Sequence, residues 1–240
     1  MKWLQQRYDF AYYPLRIECL DISHFAGDRA SGGLSAMDGG IANKKWYRRY
    51  KIKKATWGDD YGSLKEVIIR RFGQRHVIAR NEAERNDEAI SNDIDQIATS
   101  EQSWFPASSQ WRDFLPDLFV LDGAEKQLEV VKKLLESWTI DKELLNKVQF
   151  ASLGKGDARK SWQKIKGEKE KLYVLKAKEQ KGEKAKTIDG VMLWIVDYEF
   201  QYDEVDRVLL RLRDEAHRFA NSYREKQQSM ELTTKKTIKK

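Results

Sequence analysis

Four side chains in this sequence have the type and setting for metal or acid–base chemistry: Asp21, Asp60, Asp122 and His217. Asp21 interrupts an apolar, β-prone run, R-I-E-C-L-D-I-S-H at 16–24. A carboxylate there either points to solvent or is held by a partner, because burying one alone is costly. Asp60 follows Asp59 at the head of a helical pattern, where acidic residues are favoured. Asp122 closes the apolar run 118–121 just before Gly123, the kind of strand end at which open α/β sheets bind ligands. Brought to one point, three carboxylates form a hard oxygen site suited to Mg²⁺ or Mn²⁺. Kept apart, they are a solvent-facing strand residue, a helix cap and a turn former, and spacing alone leaves both readings open. His217 belongs to the one side-chain type that titrates near neutrality, which suits ligation or proton transfer. As a lone histidine between Ala216 and Arg218 it equally suits a surface or core place. His24 suits a structural hydrogen-bonding role about as well as a functional one, and His76 is expected to be a surface residue.

The elements that must position these residues follow from periodicity. Residues 16–22 read as a first strand and 27–33 as a turn-rich loop. Residues 34–38, the Asp38-Gly39-Gly40 turn and 46–53 read as a hairpin. Tyr61, Leu64, Val67, Ile68 and Phe72 recur at three and four, predicting a helix after Asp60. Residues 118–121 are a short buried strand between Pro116 and Gly123. Leu128, Val131, Leu134 and Leu135 predict a helix over 126–138. Further strands are predicted at 148–153, 172–175 and 191–196. Val208, Leu209, Leu212, Ala216, Phe219 and Ala220 predict a helix over 205–224. Strands lead and then alternate with helices, which predicts an α/β fold: a mixed sheet with helices on its faces.

Composition narrows the class. With 240 residues and eight Trp, ten Tyr and nine Phe, there is enough apolar material for a real core, which excludes global disorder. One cysteine, Cys19, excludes an internal disulfide framework and a Cys-rich zinc site; its place in the first strand predicts a packed thiol. The first ten residues carry no apolar leader core, and the longest apolar run, 191–196, is far too short for a membrane span. The chain is therefore expected to be a soluble, cytoplasmic protein with no membrane partner. The net charge of +7 fits a polyanion partner, though membrane-surface and merely soluble proteins share such an excess. Charge is unevenly placed: residues 82–101 hold seven acidic side chains against Arg85 alone, and 155–186 hold twelve basic against five acidic. The first stretch is expected to be part of an acidic insertion at 81–113, with an aromatic-anchored loop at 104–111. Much of the second is expected to be a solvated hairpin.

Five ordered motifs carry a resemblance. R-I-E-C-L-D-I-S-H at 16–24 resembles the R-I-E-C-F-D-I-S-H signature of the UvrC family, the endonuclease subunit of bacterial nucleotide excision repair. Y-R-R-Y-K-I-K (47–53) and G-D-D-Y-G-S-L-K-E-V-I-I-R-R-F (58–72) resemble the next family segments. L-P-D-L-F-V-L-D-G-A-E-K-Q-L (115–128) resembles L-P-D-L-I-L-I-D-G-G-K-G-Q-L, and G-K-G-D-A-R-K (154–160) resembles a segment with A-K-G-x-D-R-K. R-D-E-A-H-R-F-A (213–220) is similar to the closing helix motif. The resemblance implies an RNase H-like domain at 16–228, between an N-terminal extension at 1–15 and a basic tail at 229–240, whose end, T-T-K-K-T-I-K-K at 233–240, is expected to fray. It implies a metal-dependent cut in DNA on the 5′ side of a lesion, with Asp21, Asp60 and Asp122 holding Mg²⁺ or Mn²⁺ and His217 completing the catalytic set. It implies DNA as substrate, with UvrB and the rest of the excinuclease as partners. Arg48, Arg49, Arg70, Arg71, Lys155, Arg159 and Lys160 are the candidates for a phosphate track.

Two departures stand out. Where the family has Gly-Lys after D-G, this sequence has Ala124-Glu125, a bulkier and more acidic loop. The GIY-YIG nuclease half, the UvrB-binding segment and the helix-hairpin-helix part of the family have no counterpart here, so a fragment, a split-gene product or a repurposed domain is expected. A non-catalytic DNA-binding or scaffold module is the alternative to the nuclease.

Overall fold

The computed structural model describes residues 1–25, 29–55, 58–73, 115–137, 140, 142–154, 169–179 and 191–238. The acidic insertion at 81–113, His76 and the candidate cations Lys155, Arg159 and Lys160 lie outside them, as does most of the stretch expected to be a solvated hairpin.

Side-chain alternation along the central strands decides the architecture. In β1 (Arg16–Phe25), Ile17 and Cys19 enter one apolar cluster and Leu20 enters the other. In β5 (Leu118–Leu121), Leu118 and Val120 face the first cluster while Phe119 and Leu121 face the second. Both strands are thus covered on both faces, as parallel central strands must be. β1, β5 and β6 (Gln149–Gly154) run parallel at the centre of an eight-stranded mixed sheet of order β3-β2-β1-β5-β6-β7-β8. β2 (Arg29–Asp38) is antiparallel to β1, and β3 (Ile41–Ala42) and β4 (Arg48–Lys51) both pair with β2. β7 (Lys171–Glu179) and β8 (Val191–Glu199) complete the other side as an antiparallel pair. The fold is α/β and RNase H-like, as the sequence predicts.

One face is covered by α2 (Asp60–Ile68), which continues into a π-helical turn at Ile69–Gly73, and by α3 (Glu125–Glu136). α3 buries Leu128, Val131, Leu134 and Leu135, the residues its spacing singles out. The other face is covered by α1 (Lys2–Arg7) and the long α4 (Glu204–Ile238). Among the described residues, no helix is long and apolar enough to cross a membrane.

Residues 1–15, the expected N-terminal extension, pack against the sheet: Leu4, Tyr8 and Phe10 are buried in the cluster under α4, and the Tyr8 hydroxyl donates to Asp206 Oδ1 at 2.5 Å. Three expectations are corrected. Within the stretch expected to fray, 233–240, α4 continues as far as Ile238. Of the expected loop at 27–33, residues 29–33 belong to β2, because Gly32 and Gly33 serve close packing rather than turning, and residues 27 and 28 lie outside the described residues. A Cβ on Gly32 would lie 3.2 Å from Val67 Cγ2, and one on Gly33 would lie 2.8 Å from Ala220 Cβ. The expected hairpin is longer in path. After Gly39 and Gly40, both at positive φ, the chain forms β3, a 3-10 turn at Lys44–Trp46, and only then β4. Trp46 therefore lies outside the strand, with Arg16 stacked 3.9 Å over its ring.

Candidate active site

Asp21 continues the Ile17–Cys19 series in β1, so it faces α4. Asp122 continues the Leu118–Val120 series one residue beyond β5 and faces the same way. The parallel register, Leu20 opposite Leu121, sets the two carboxylates side by side, and Asp122 N–H donates to Leu20 O at 2.9 Å. Two alternations and one register are enough to converge two residues that are far apart in sequence.

α4 supplies the third group. Gly33 lies opposite Asp21 in β2, and its missing side chain lets the backbone of Ala220 come down onto the sheet. Ser35 Oγ donates to Leu212 O at 3.2 Å and fixes the helix one turn-pair earlier. Ala216 and Ala220, both buried, form the contact stripe. His217 stands beside that stripe, with Nδ1 3.3 Å from Asp21 Oδ2. One ligand atom from each of Asp21, Asp122 and His217 lies within 4.8 Å of the others. Asp21 is buried at 7% exposure, Asp122 is half-buried with Oδ1 shielded from solvent, and the His217 side chain is 58% exposed. The arrangement is a closed acidic floor under an open imidazole.

Cys19 lies two residues before Asp21 on the same face and is fully buried. Burial pushes its thiol pKa well up, and the negative charges of Asp122 and Asp21 push it further. The thiol stays protonated, so it packs rather than ligates, as the sequence predicts. The donor set is two carboxylates and one imidazole, which fits Mg²⁺ or Mn²⁺; ligands of one such ion stand up to about 4 Å apart.

Asp60 is not one of the three. It is exposed in the first turn of α2, which packs on the opposite face, while Asp59 is the cap, accepting Gly62 N–H at 2.7 Å. His24 lies in β1, but its side chain is outside the described set.

The candidate phosphate track divides. Arg71 is removed from it: the guanidinium is buried and donates through Nε and Nη2 to Glu18 at 3.0 and 2.9 Å. Arg70 is mostly enclosed, bound to Lys51 O at 2.8 Å and near Glu66 and the Tyr50 ring. The π-helical turn that follows α2 directs both inward, which their adjacency in sequence does not reveal. Arg48 and Arg49 are exposed on β4. Arg49 stacks 4.5 Å over Phe219 and contacts Ser222, on the flank of α4 away from His217. It is therefore separated from the acidic floor by the helix.

Two residues beside the site carry no separate signal in the sequence reading. Arg213 lies one turn before His217 and donates to Glu170 at 2.9 Å, both being buried. Glu170 sits within the basic stretch 155–186, so composition conceals it. The four-residue step from Arg213 to His217 is the signal that connects them.

A family model described as the UvrC RNase H endonuclease domain matches residues 5–221. The chain belongs to this family. The UvrABC system protein C of Prochlorococcus marinus (strain NATL2A) is 33% identical over 228 residues, covering 93% of this chain and 29% of the relative. That of Nocardia farcinica (strain IFM 10152) is 30% identical over 241 residues, covering 96% of this chain and 31% of the relative. That of Hydrogenobaculum sp. (strain Y04AAS1) is 30% identical over 219 residues, covering 91% and 27%. The chain spans about three-tenths of the length of these UvrC relatives.

Proposed function

We propose that this chain is a metal-dependent DNA endonuclease module of nucleotide excision repair, hydrolysing a phosphodiester on the 5′ side of a lesion in the cytoplasm, alongside UvrB and the rest of the excinuclease. The observation that supports it is the convergence of Asp21, Asp122 and His217 within 4.8 Å on one face of the sheet. A bound Mg²⁺ or Mn²⁺ supplies Lewis-acid polarisation of phosphate and acidifies a water at neutral pH. Asp21 and Asp122 hold that ion from the closed floor. His217, exposed above them, accepts or returns a proton at a ring nitrogen, and its contact with Asp21 sets the ring's orientation. Asp60 joins the catalytic set on the strength of the family motif it occupies. Arg48 and Arg49 contact flanking phosphates from β4, in a ribbon from Lys44 to Lys54 that carries seven cations and no acid.

A second reading, a DNA-binding or scaffold module without cutting activity, is favoured by Glu125. It places a carboxylate in the first turn of α3, just after the Asp122 loop, where it repels phosphate. One assay separates the two readings. Supercoiled DNA is incubated with the chain and Mn²⁺, alone and with UvrB and a GIY-YIG half supplied. Nicking that disappears in Asp122→Asn supports the nuclease. DNA binding without nicking under both conditions leaves the scaffold.

A further inference from the structure

A third buried acid, Glu170, lies on the α4 side of the sheet that also carries Asp21 and Asp122. In β7, Leu172 and Val174 face the α4 side, and Glu170, next in the same alternating series, faces it too. β7 pairs with β6, which pairs with β5; by this register Asp122 is level with Leu153 and Leu172, and Glu170, just before β7, lies two residues further along on the same face. Glu170 is 8% exposed. Its backbone is pinned on both sides: Glu170 N–H donates to the Tyr202 hydroxyl oxygen at 3.0 Å, and Glu170 O accepts Phe200 N–H at 3.0 Å.

Against Glu170 stands a buried cation. Arg213, 4% exposed, points from the flank of α4 that also carries His217. Its Nη1 donates to Glu170 Oε1 at 2.9 Å, and its Nε lies 3.7 Å from the exposed Asp214 carboxylate. Burial works against the charge on Arg213, but the hydrogen bond to Glu170 and the negative charges of Glu170, Asp122 and Asp214 outweigh it. Arg213 is therefore within electrostatic reach of Asp122 while its strong pair is Glu170. A fixed cation at that place competes with a divalent ion for the field of Asp122, unless another acid occupies it.

We propose that Glu170 is a positioning residue for the metal: it engages and neutralises Arg213 and so leaves Asp21 and Asp122 available to a divalent cation. The inference rests on the metal-centre reading of that site. It assigns Glu170 an electrostatic role that packing alone would not require, because the same pair could be replaced by apolar groups without loss of fold.

The signs are specific. Glu170→Gln keeps the size and a hydrogen bond to Arg213 but removes the charge. It should weaken Mn²⁺ binding about tenfold or more, the size of a 1.4 kcal/mol coupling. Glu170→Asp keeps the charge and should stay close to wild type. The double variant Glu170→Gln/Arg213→Met removes the competing cation as well and should recover wild-type affinity or better. Mn²⁺ titration calorimetry on the full chain reads all four proteins, with thermal melts run beside it. A structural role for Glu170 would make the double variant as weak as the single one, or weaker. Equal affinity in wild type and Glu170→Gln overturns the inference, and so does a double variant that fails to recover. If the double variant does not fold, the contrast between Glu170→Gln and Glu170→Asp decides alone. Wild-type protein that binds no Mn²⁺ overturns the metal-centre reading and this inference with it, an outcome distinct from the other two.

Discussion

β1 carries two buried acids three residues apart, and the fold treats them in opposite ways. Glu18 faces α2 and α3, is 2% exposed, and is closed by two hydrogen bonds from Arg71. Asp21 faces α4, is 7% exposed, and meets a second carboxylate and an imidazole. A buried acid with a permanent cation is part of the structure, because its charge is already compensated. A buried acid that meets a second carboxylate and an imidazole sits in a set of groups that can hold a cation. The two faces of one strand thus separate a structural carboxylate from one poised for binding, and the separation can be tested.

The largest effect expected on the binding face is from Asp21→Asn. It should lower Mn²⁺-dependent nicking by about 10³-fold, the scale for a group stabilising developing charge. Stability should be unchanged or slightly higher, since like charges no longer face each other. A gel nicking assay beside urea melts checks both, and a fall in both together would erase the contrast with Glu18. On the structural face, Arg71→Met should cost about 3–5 kcal/mol by leaving Glu18 buried without its cation. The protein that still folds should retain its nicking rate, so the loss appears in the urea midpoint and not in the rate per folded molecule.

His217→Ala comes next. About 10²-fold should be lost in rate with little change in melting, because the side chain is 58% exposed and Leu209, Leu212, Ala216 and Ala220 hold α4. Gly33→Ala should act on both properties at once. The added Cβ meets Ala220 Cβ at 2.8 Å and Ala220 Cα at 3.0 Å, backbone included. Lifting α4 should cost about 1–3 kcal/mol and weaken Mn²⁺ binding by moving His217 from Asp21. A stable Gly33→Ala with native affinity would show that α4 does not set the site.

The smallest effect concerns the far end of α4. Hydrogen bonding from Arg7 lowers the Asp203 pKa to about 2. A carboxyl whose folded pKa is depressed contributes stability above its unfolded value, near 4, and loses it as pH falls through about 2. Asp203→Asn should flatten the fall of the urea midpoint between about pH 4 and pH 2 while leaving nicking at pH 7 untouched. An unchanged acid limb would mean that the latch between α1 and α4 is silent.

Much of this was legible in the chain itself. The run 118–121, the helical spacing at 128–135 and the interruption at Asp21 gave the strands, a helix and the central acid, because period two and period 3.6 are local properties. The ordered motifs gave the family and, through it, His217, which no spacing rule distinguishes from a surface histidine. The burial of Leu4, Tyr8 and Phe10 was not legible, because three residues are too few to show a period and their burial depends on a helix two hundred residues later. Gly32 and Gly33 read as a turn because glycine signals a turn unless a helix is known to lie on it. Arg70 and Arg71 read as surface cations beside Arg48 and Arg49. Only the packing of α2 against β1 turns Arg71 onto Glu18, and only the crossing of α4 separates Arg49 from the acidic floor.

The sequence by itself determined which residues could carry charge and which stretches would be strand or helix, since those follow from side-chain chemistry and from neighbours a few positions away. The tertiary structure decided which charges meet. Asp21 and Asp122 are adjacent because Leu20 pairs with Leu121 across a parallel ladder, and His217 reaches them because Gly33 has no side chain. Both depend on contacts between segments about a hundred residues or more apart, for which no local pattern in the chain holds a record.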